Sequence, residues 1–319
     1  MTARSTSVMR WLVPTLLLAL VMSGCTSEVE PRASVGDPAE RAIEVPGLPT
    51  TIDYVALGDS FTAGPFIGTM RVDPEGCARS RQNYPAFLAD WLDVATYTDV
   101  SCSAATTDSL SRDQPLFNGG VTGPQLDAVT PDTDLVTLGL GGNDFGLYTE
   151  LMSCQSPGRA TCEQARLRRD ARRIAGRVRR AVLAIGRRAP DAGVYVVGYP
   201  QILPTRRPCP EVGVGAPVLR TLHVISRELN RSLRRGAEAA DATYVDLQTA
   251  SQGHDVCAGE AAWVNGKDFR AGVAAPFHPL AEGMRGAAGE VYRTIVGAEP
   301  PEVDRAEPDP DAVVLNDAS

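Results

Sequence analysis

Lysine is nearly absent from this chain: Lys267 is the only one among 31 basic residues, and 39 acidic residues leave a net charge of −8. Such a chain lacks the clustered cationic surplus that displaces counterions from phosphate backbones, and it contains no nucleic-acid-reading module, so a nucleic-acid partner is excluded. Histidine is scarce too, with His223, His254 and His278 widely spaced, and no Cys-x-x-Cys pair occurs among the seven cysteines. Neither a metal nor a cofactor is therefore expected. Internal repeats are missing, and no apolar run reaches the roughly 20 residues of a membrane-spanning helix. The one at residues 11–22, preceded by Arg4 and Arg10, has the length of a signal-peptide core.

That run ends in Met22-Ser23-Gly24-Cys25, which resembles a bacterial lipobox, where the cysteine is lipidated and becomes the mature N-terminus. Residues 1–25 are expected to be a lipoprotein-type signal peptide, with Cys25 holding the protein on the extracytoplasmic side of the membrane; an ordinary secretory leader is the alternative. Residues 26–50 mix Glu, Pro, Ser and Gly without apolar period, as a flexible linker does. Residues 51–297 form one domain, and 298–319, rich in Pro, Asp and Glu, read as a disordered tail. Once Cys25 is set aside, Cys77, Cys102, Cys154, Cys162, Cys209 and Cys257 are an even set in a chain bound for an oxidising space, so three disulfides are expected. Their pairing is open at this point.

Beyond the linker, short β-branched runs at 51–57, 95–100, 135–140, 193–197 and 243–246 alternate with helical patterns at 84–92, 164–188, 218–239 and 282–296. That alternation is the signature of βαβ units and predicts one doubly wound α/β domain around a parallel sheet of about five strands. The arginine-dense stretch 166–188 carries Leu167, Ala171, Ile174, Val178, Val182 and Ile185 at three- and four-residue steps, so it reads as an outer helix with an apolar inner stripe and a solvated cationic face.

Ligands of an open parallel sheet bind beyond the carboxyl ends of its strands, which directs attention to two loops. After the first strand comes Gly58-Asp59-Ser60-Phe61-Thr62-Ala63-Gly64, where Ser60 is placed to open a helix. After the third comes Gly139-Leu140-Gly141-Gly142-Asn143-Asp144, whose glycines permit close backbone approach and whose Asn143 offers an amide donor. Ser60 needs a base to become a nucleophile, and histidine suits that task near neutrality. His223 lies within a helical pattern and His254 in a loop beside Cys257. His278, followed by Pro279 before the last helix, is the best base. Asp59 and Asp144 read as turn-fixing hydrogen bonders, since a carboxylate would oppose a neighbouring oxyanion.

Together, Gly58-Asp59-Ser60-Phe61, Gly141-Gly142-Asn143-Asp144 and His278-Pro279 resemble the nucleophile, GxND and histidine blocks of the SGNH/GDSL hydrolases. Arg79 through Tyr84-Pro85, Ser101-Cys102-Ser103, Gly198-Tyr199-Pro200 and His254-Asp255-Val256-Cys257 are similar to its secreted bacterial esterase and lipase branch. The resemblance implies a flavodoxin-like three-layer α/β/α sandwich, a monomer, and sequential disulfides Cys77–Cys102, Cys154–Cys162 and Cys209–Cys257. It further implies hydrolysis of acyl or lipid esters through an acyl-Ser60 intermediate with His278 as general base, and an oxyanion hole of the Ser60 and Ala104 amides and the Asn143 side chain. Ala104 replaces the family's usual glycine. Ala275 stands where an aspartate often precedes the histidine, so the Ala275 main-chain carbonyl is expected to orient the imidazole, with Asp255 and Asp268 as fallback acids. Two rival readings are a carbohydrate acetylesterase on the same site and a non-catalytic envelope-binding lipoprotein.

Overall fold

The apolar run Asp53–Gly58 is buried on both faces, as a strand of a parallel sheet covered by helices must be. In the computed structural model, which describes Val45 and residues 47–154, 163–205 and 207–302, this run forms β1 of a five-stranded parallel sheet. Its spatial order is β2 (Thr96–Asp99), β1, β5 (Leu135–Gly139), β6 (Gly193–Val197) and β7 (Thr243–Val245). An antiparallel hairpin of β3 (Gln114–Pro115) and β4 (Val121–Thr122) stands apart from it. Counting only strands of the main sheet, this is the 2-1-3-4-5 order of flavodoxin-like folds, with the switch point between β1 and β5.

Each face of the sheet buries its own apolar core. One is closed by α4 (Gln164–Arg188) and α5 (Ala216–Glu238), the other by α2 (Tyr84–Leu92) and α7 (Ala281–Val296), which completes the three layers. The predicted stripe of α4, from Leu167 to Ile185, is buried, and most of its arginines face outward. Shorter elements complete the domain: α1 (Ser60–Ala63), α3 (Leu147–Ser153) and α6 (Leu247–Ala250).

Two of the expected disulfides, Cys77–Cys102 and Cys209–Cys257, are formed. Cys162, the leader with Cys25, most of the linker and the tail beyond residue 302 lie outside the described residues, all of which belong to one compact unit spanning 42–319. One local expectation differs. The last helix begins at Ala281 with Leu280 as its N-cap, so Pro279 precedes the helix instead of filling its first turn. The Val264–Pro279 bridge uses that residue to pin the chain.

Candidate active site

Where β1 ends, the Asp59 carboxylate accepts from the Phe61 amide at 2.9 Å and caps α1, so Ser60 becomes the first helical residue on the carboxyl edge of the sheet. His278 stands 218 positions later in the chain, yet its Nε2 is 2.8 Å from Ser60 Oγ. Its Nδ1 is 2.8 Å from the Pro276 carbonyl. A carbonyl can only accept, so Nδ1 carries the proton and Nε2 turns its lone pair to the serine hydroxyl, the tautomer a general base requires.

The carbonyl that meets the imidazole thus belongs to Pro276, one residue beyond the Ala275 expected there. Ala275 O is already taken, accepting from Asn265 Nδ2 at 3.1 Å and from the His278 amide at 3.3 Å. Phe277, in the left-handed region at φ 56, turns the chain between Pro276 and His278. The same buried Asn265 amide also donates to the carbonyls of Asp268 and Ala274, and its backbone N–H donates to His278 O at 2.9 Å. Neither fallback acid meets the imidazole. Asp255 accepts from Gln201 and the Cys257 amide, and Asp268 pairs with Lys267.

Aromatic rings enclose the base: Phe61 lies 4.9 Å and Tyr148 5.6 Å from the His278 ring, centre to centre. Tyr148 Oη also donates to Pro276 O at 3.3 Å. Burial in this setting pushes the His278 pKa down to about 4, only partly opposed by the Pro276 hydrogen bond.

On the other side of Ser60, Gly141 (φ 129) and Gly142 bring the β5 loop close. A Cβ on Gly142 would lie 2.8 Å from Tyr199 Oη. The Gly142 amide instead donates to Tyr199 Oη at 2.7 Å, and that hydroxyl donates to Asp59 Oδ2 at 2.5 Å. Burial raises the Asp59 pKa to about 7, against the lowering effect of its bonds from Tyr199 and Phe61. Asn143 Nδ2 donates one hydrogen to Ala105 O at 3.0 Å, which leaves its second for another acceptor. Asp144 is a turn-fixer as read, accepting from both the amide and hydroxyl of Thr107.

Ala104 lies in a turn tied down by the Cys77–Cys102 disulfide and by the Ser103 amide donating to Cys77 O at 3.0 Å. Its φ is 67, a region that favours the glycine usual at this place, and its amide meets no acceptor among the described residues. Ser60, Ala104, Asn143 and His278 all line one cleft of about 810 Å³, whose walls include Pro65, Phe66, Met70 and Phe117.

The other histidines stay apart from this cleft. His254 stacks on Trp263 at 4.7 Å, and His223 sits half-buried on α5. No pattern in the sequence marks Tyr148, Asn265 or Pro276, and Phe61 stands out there only as part of the Gly58-Asp59-Ser60-Phe61 block. Tyr199, in the Gly198-Tyr199-Pro200 stretch that carries part of the resemblance, follows β6 at the carboxyl edge of the sheet.

A base held neutral by burial should keep working in weak acid. We expect kcat/KM on a soluble ester to fall only as the pH drops through about 4, well below histidine's ordinary 6.5; a pH profile with its acid limb near the ordinary value would show a hydrated ring instead. Ala104→Gly should raise stability by about 1 kcal/mol, because it relieves a left-handed alanine. Denaturant unfolding measures this, and a loss of stability would contradict the strain.

Residues 56–285 match the GDSL-like lipase/acylhydrolase family. The chain is 38% identical over 255 residues to Lipase 2 of Streptomyces coelicolor, covering 74% of this chain and 83% of that one. It is also 31% identical over 251 residues to a lipase of Streptomyces rimosus, covering 77% and 87%. Among solved structures, phospholipase A1 of Streptomyces albidoflavus superposes with a TM-score of 0.66 at 27% identity, over 77% of this chain and 99% of its own. The extracellular lipase of Streptomyces rimosus does so at 0.65 and 28%, over 77% and 100%. A serine hydroxyl poised on a neutral imidazole at the switch point of a flavodoxin-like sheet agrees with these likenesses, and the chain belongs to the GDSL-like lipase/acylhydrolase family of serine ester hydrolases.

Proposed function

We propose that the enzyme cleaves esters of extended acyl chains, with the oxyanion held by the Ser60 amide, the Ala104 amide and Asn143 Nδ2. The observation that carries this reading is the 2.8 Å contact of Ser60 Oγ with His278 Nε2 in a cleft whose lining includes Pro65, Phe66, Met70 and Phe117. Those lining residues offer apolar contact to an acyl chain, which favours the acyl reading over the carbohydrate-acetyl one. The phospholipase and lipase activities named for the Streptomyces relatives agree with acyl substrates.

The reaction runs in two halves. Ser60 Oγ attacks the ester carbonyl carbon while Nε2 takes the hydroxyl proton. The carbonyl oxygen becomes an anion facing three N–H donors, none of which must reorganise as charge develops. Collapse of the intermediate breaks the bond to the alcohol, which leaves with the proton from Nε2 and yields acyl-Ser60. A water molecule then gives a proton to Nε2 and attacks the acyl carbon; as this second intermediate collapses, the acid leaves and Ser60 Oγ takes the proton back from Nε2. Throughout, Pro276 O keeps the Nδ1 proton in place and so orients the ring; lacking a full charge, it stabilises the imidazolium less than a carboxylate would.

Ser60→Ala and His278→Ala should each abolish nitrophenyl butyrate hydrolysis, and Asn143→Ala should lower kcat about 10²- to 10³-fold with the fold intact. An unchanged rate in Asn143→Ala would remove that side chain from the oxyanion hole.

We also propose that the enzyme is exported and anchored through a lipid on Cys25. This reading is supported by the apolar run 11–22, by Met22-Ser23-Gly24-Cys25 and by two disulfides suited to an oxidising space. Labelled palmitate should enter the full chain in cells and be lost in Cys25→Ala; equal labelling of the two would overturn the anchor.

A further inference from the structure

Among the described residues, six large hydrophobic side chains are exposed: Phe66, Val72, Phe117, Val121, Leu183 and Phe269. Scattered apolar residues are ordinary on a protein surface, whereas a contiguous group needs an explanation. Phe66 and Phe117 line the cleft directly, Phe269 packs on Phe66, and Val72 and Val121 stand on the two segments that supply the cleft wall, whereas Leu183 is on α4. Phe269 packs edge-on against Phe66, ring centres 5.0 Å apart. Val72 is 82% exposed in the segment that supplies Met70, Glu75, Gly76 and Ala78 to the cleft wall. Val121 pairs with Pro115 across the β3–β4 hairpin whose turn carries Phe117. These two segments touch, since Gly76 leaves no room for a Cβ beside Leu116 and Asn118. Phe66 itself is held at φ 68, a backbone region that aromatic residues seldom adopt, so its outward position is imposed by the surrounding chain.

Charge around this rim nearly cancels. Arg71 and Arg79 balance Asp73 and Glu75, Arg112 balances Asp113 and Lys267 balances Asp268, which leaves Arg81 and Arg270. The large arginine surplus lies on α4 instead, away from these segments in the sequence. An apolar rim of low net charge around an acyl-binding cleft is matched to the uncharged or zwitterionic surface from which such a substrate would be drawn.

We propose that Phe66, Val72, Phe117, Val121 and Phe269 form a docking rim by which the enzyme seats its cleft on a zwitterionic lipid surface. The proposal rests on the acyl-ester reading above. The rim inserts side chains into the interface, so an acyl chain can pass into the cleft without crossing water, and binding should follow apolar contact more than charge.

The test uses residues 42–319, the compact unit, which matches nearly the whole of the Streptomyces albidoflavus enzyme and carries neither the apolar leader nor Cys25. It should co-sediment with phosphatidylcholine vesicles equally at low and at high salt. The triple variant Val72→Ser, Val121→Ser, Phe269→Ser should lose at least about tenfold in vesicle binding and in the rate on vesicle-borne ester. Its kcat/KM on nitrophenyl acetate, below that ester's solubility limit, should stay unchanged and so report an intact fold and dyad. Three results would overturn the proposal: no sedimentation of the parent, binding that requires anionic lipid and vanishes with salt, or a variant that binds as well as the parent. Failure of the parent to hydrolyse nitrophenyl acetate would sink the esterase reading instead, a separate outcome of the same assay.

Discussion

Everything in this active site depends on keeping one imidazole neutral, oriented and within 2.8 Å of a serine hydroxyl without a carboxylate behind it. A carboxylate would fix the ring by charge; here it is fixed by chain geometry. Phe277 turns left-handed so that the Pro276 carbonyl faces Nδ1, and Asn265 anchors that turn by donating to three carbonyls of the same loop. The Val264–Pro279 bridge and the bond from the Asn265 amide to His278 O lock the loop to its neighbour. One buried amide side chain thus fixes, through hydrogen bonds, the loop whose carbonyl orients the ring, and in a dry environment such bonds are costly to break.

The same dryness has an electrostatic consequence. Phe61 and Tyr148 exclude water from the imidazole, which favours its uncharged form and lowers its pKa. A weaker base in the ground state is balanced by a transition state in which the imidazolium sits beside a newly formed oxyanion. Their attraction in a low-dielectric pocket is stronger than it would be in water. Neither half of the charge pair exists before reaction, so no resting ion has to be buried.

Holding the two sides of the site in register falls to Asp59 and Tyr199. The chain of hydrogen bonds from the Gly142 amide through Tyr199 Oη to Asp59 joins the loop after β5 to the cap of the serine helix, across the topological switch point. Ser60 and Asn143 therefore sit on two loops that share one buried anchor, and the Asp59 amide adds a bond to Gly139 O at 2.9 Å. The disulfide at Cys77 secures the third loop, that of Ala104, where a strained backbone is tolerated because its ends are tied.

The sequence by itself determined what is local. Strand and helix ranges followed from apolar periodicity, down to the bounds of Tyr84–Leu92 and Gln164–Arg188. Ser60 at a strand-to-helix turn, Asn143 after two glycines and His278 beside a proline were legible because turn chemistry and strand ends leave marks within a few residues. Tertiary structure alone decided the rest. Ala275 and Pro276 present the same carbonyl group, and only the φ of Phe277 and the prior claim of Asn265 select between them. Tyr148 and Tyr199 reach their partners across 130 and 140 residues, a proximity no local pattern encodes. Likewise no local pattern marks Phe66, Phe117 and Phe269 as exposed; packing is what left them outside, Phe66 and Phe117 at the cleft and Phe269 against Phe66.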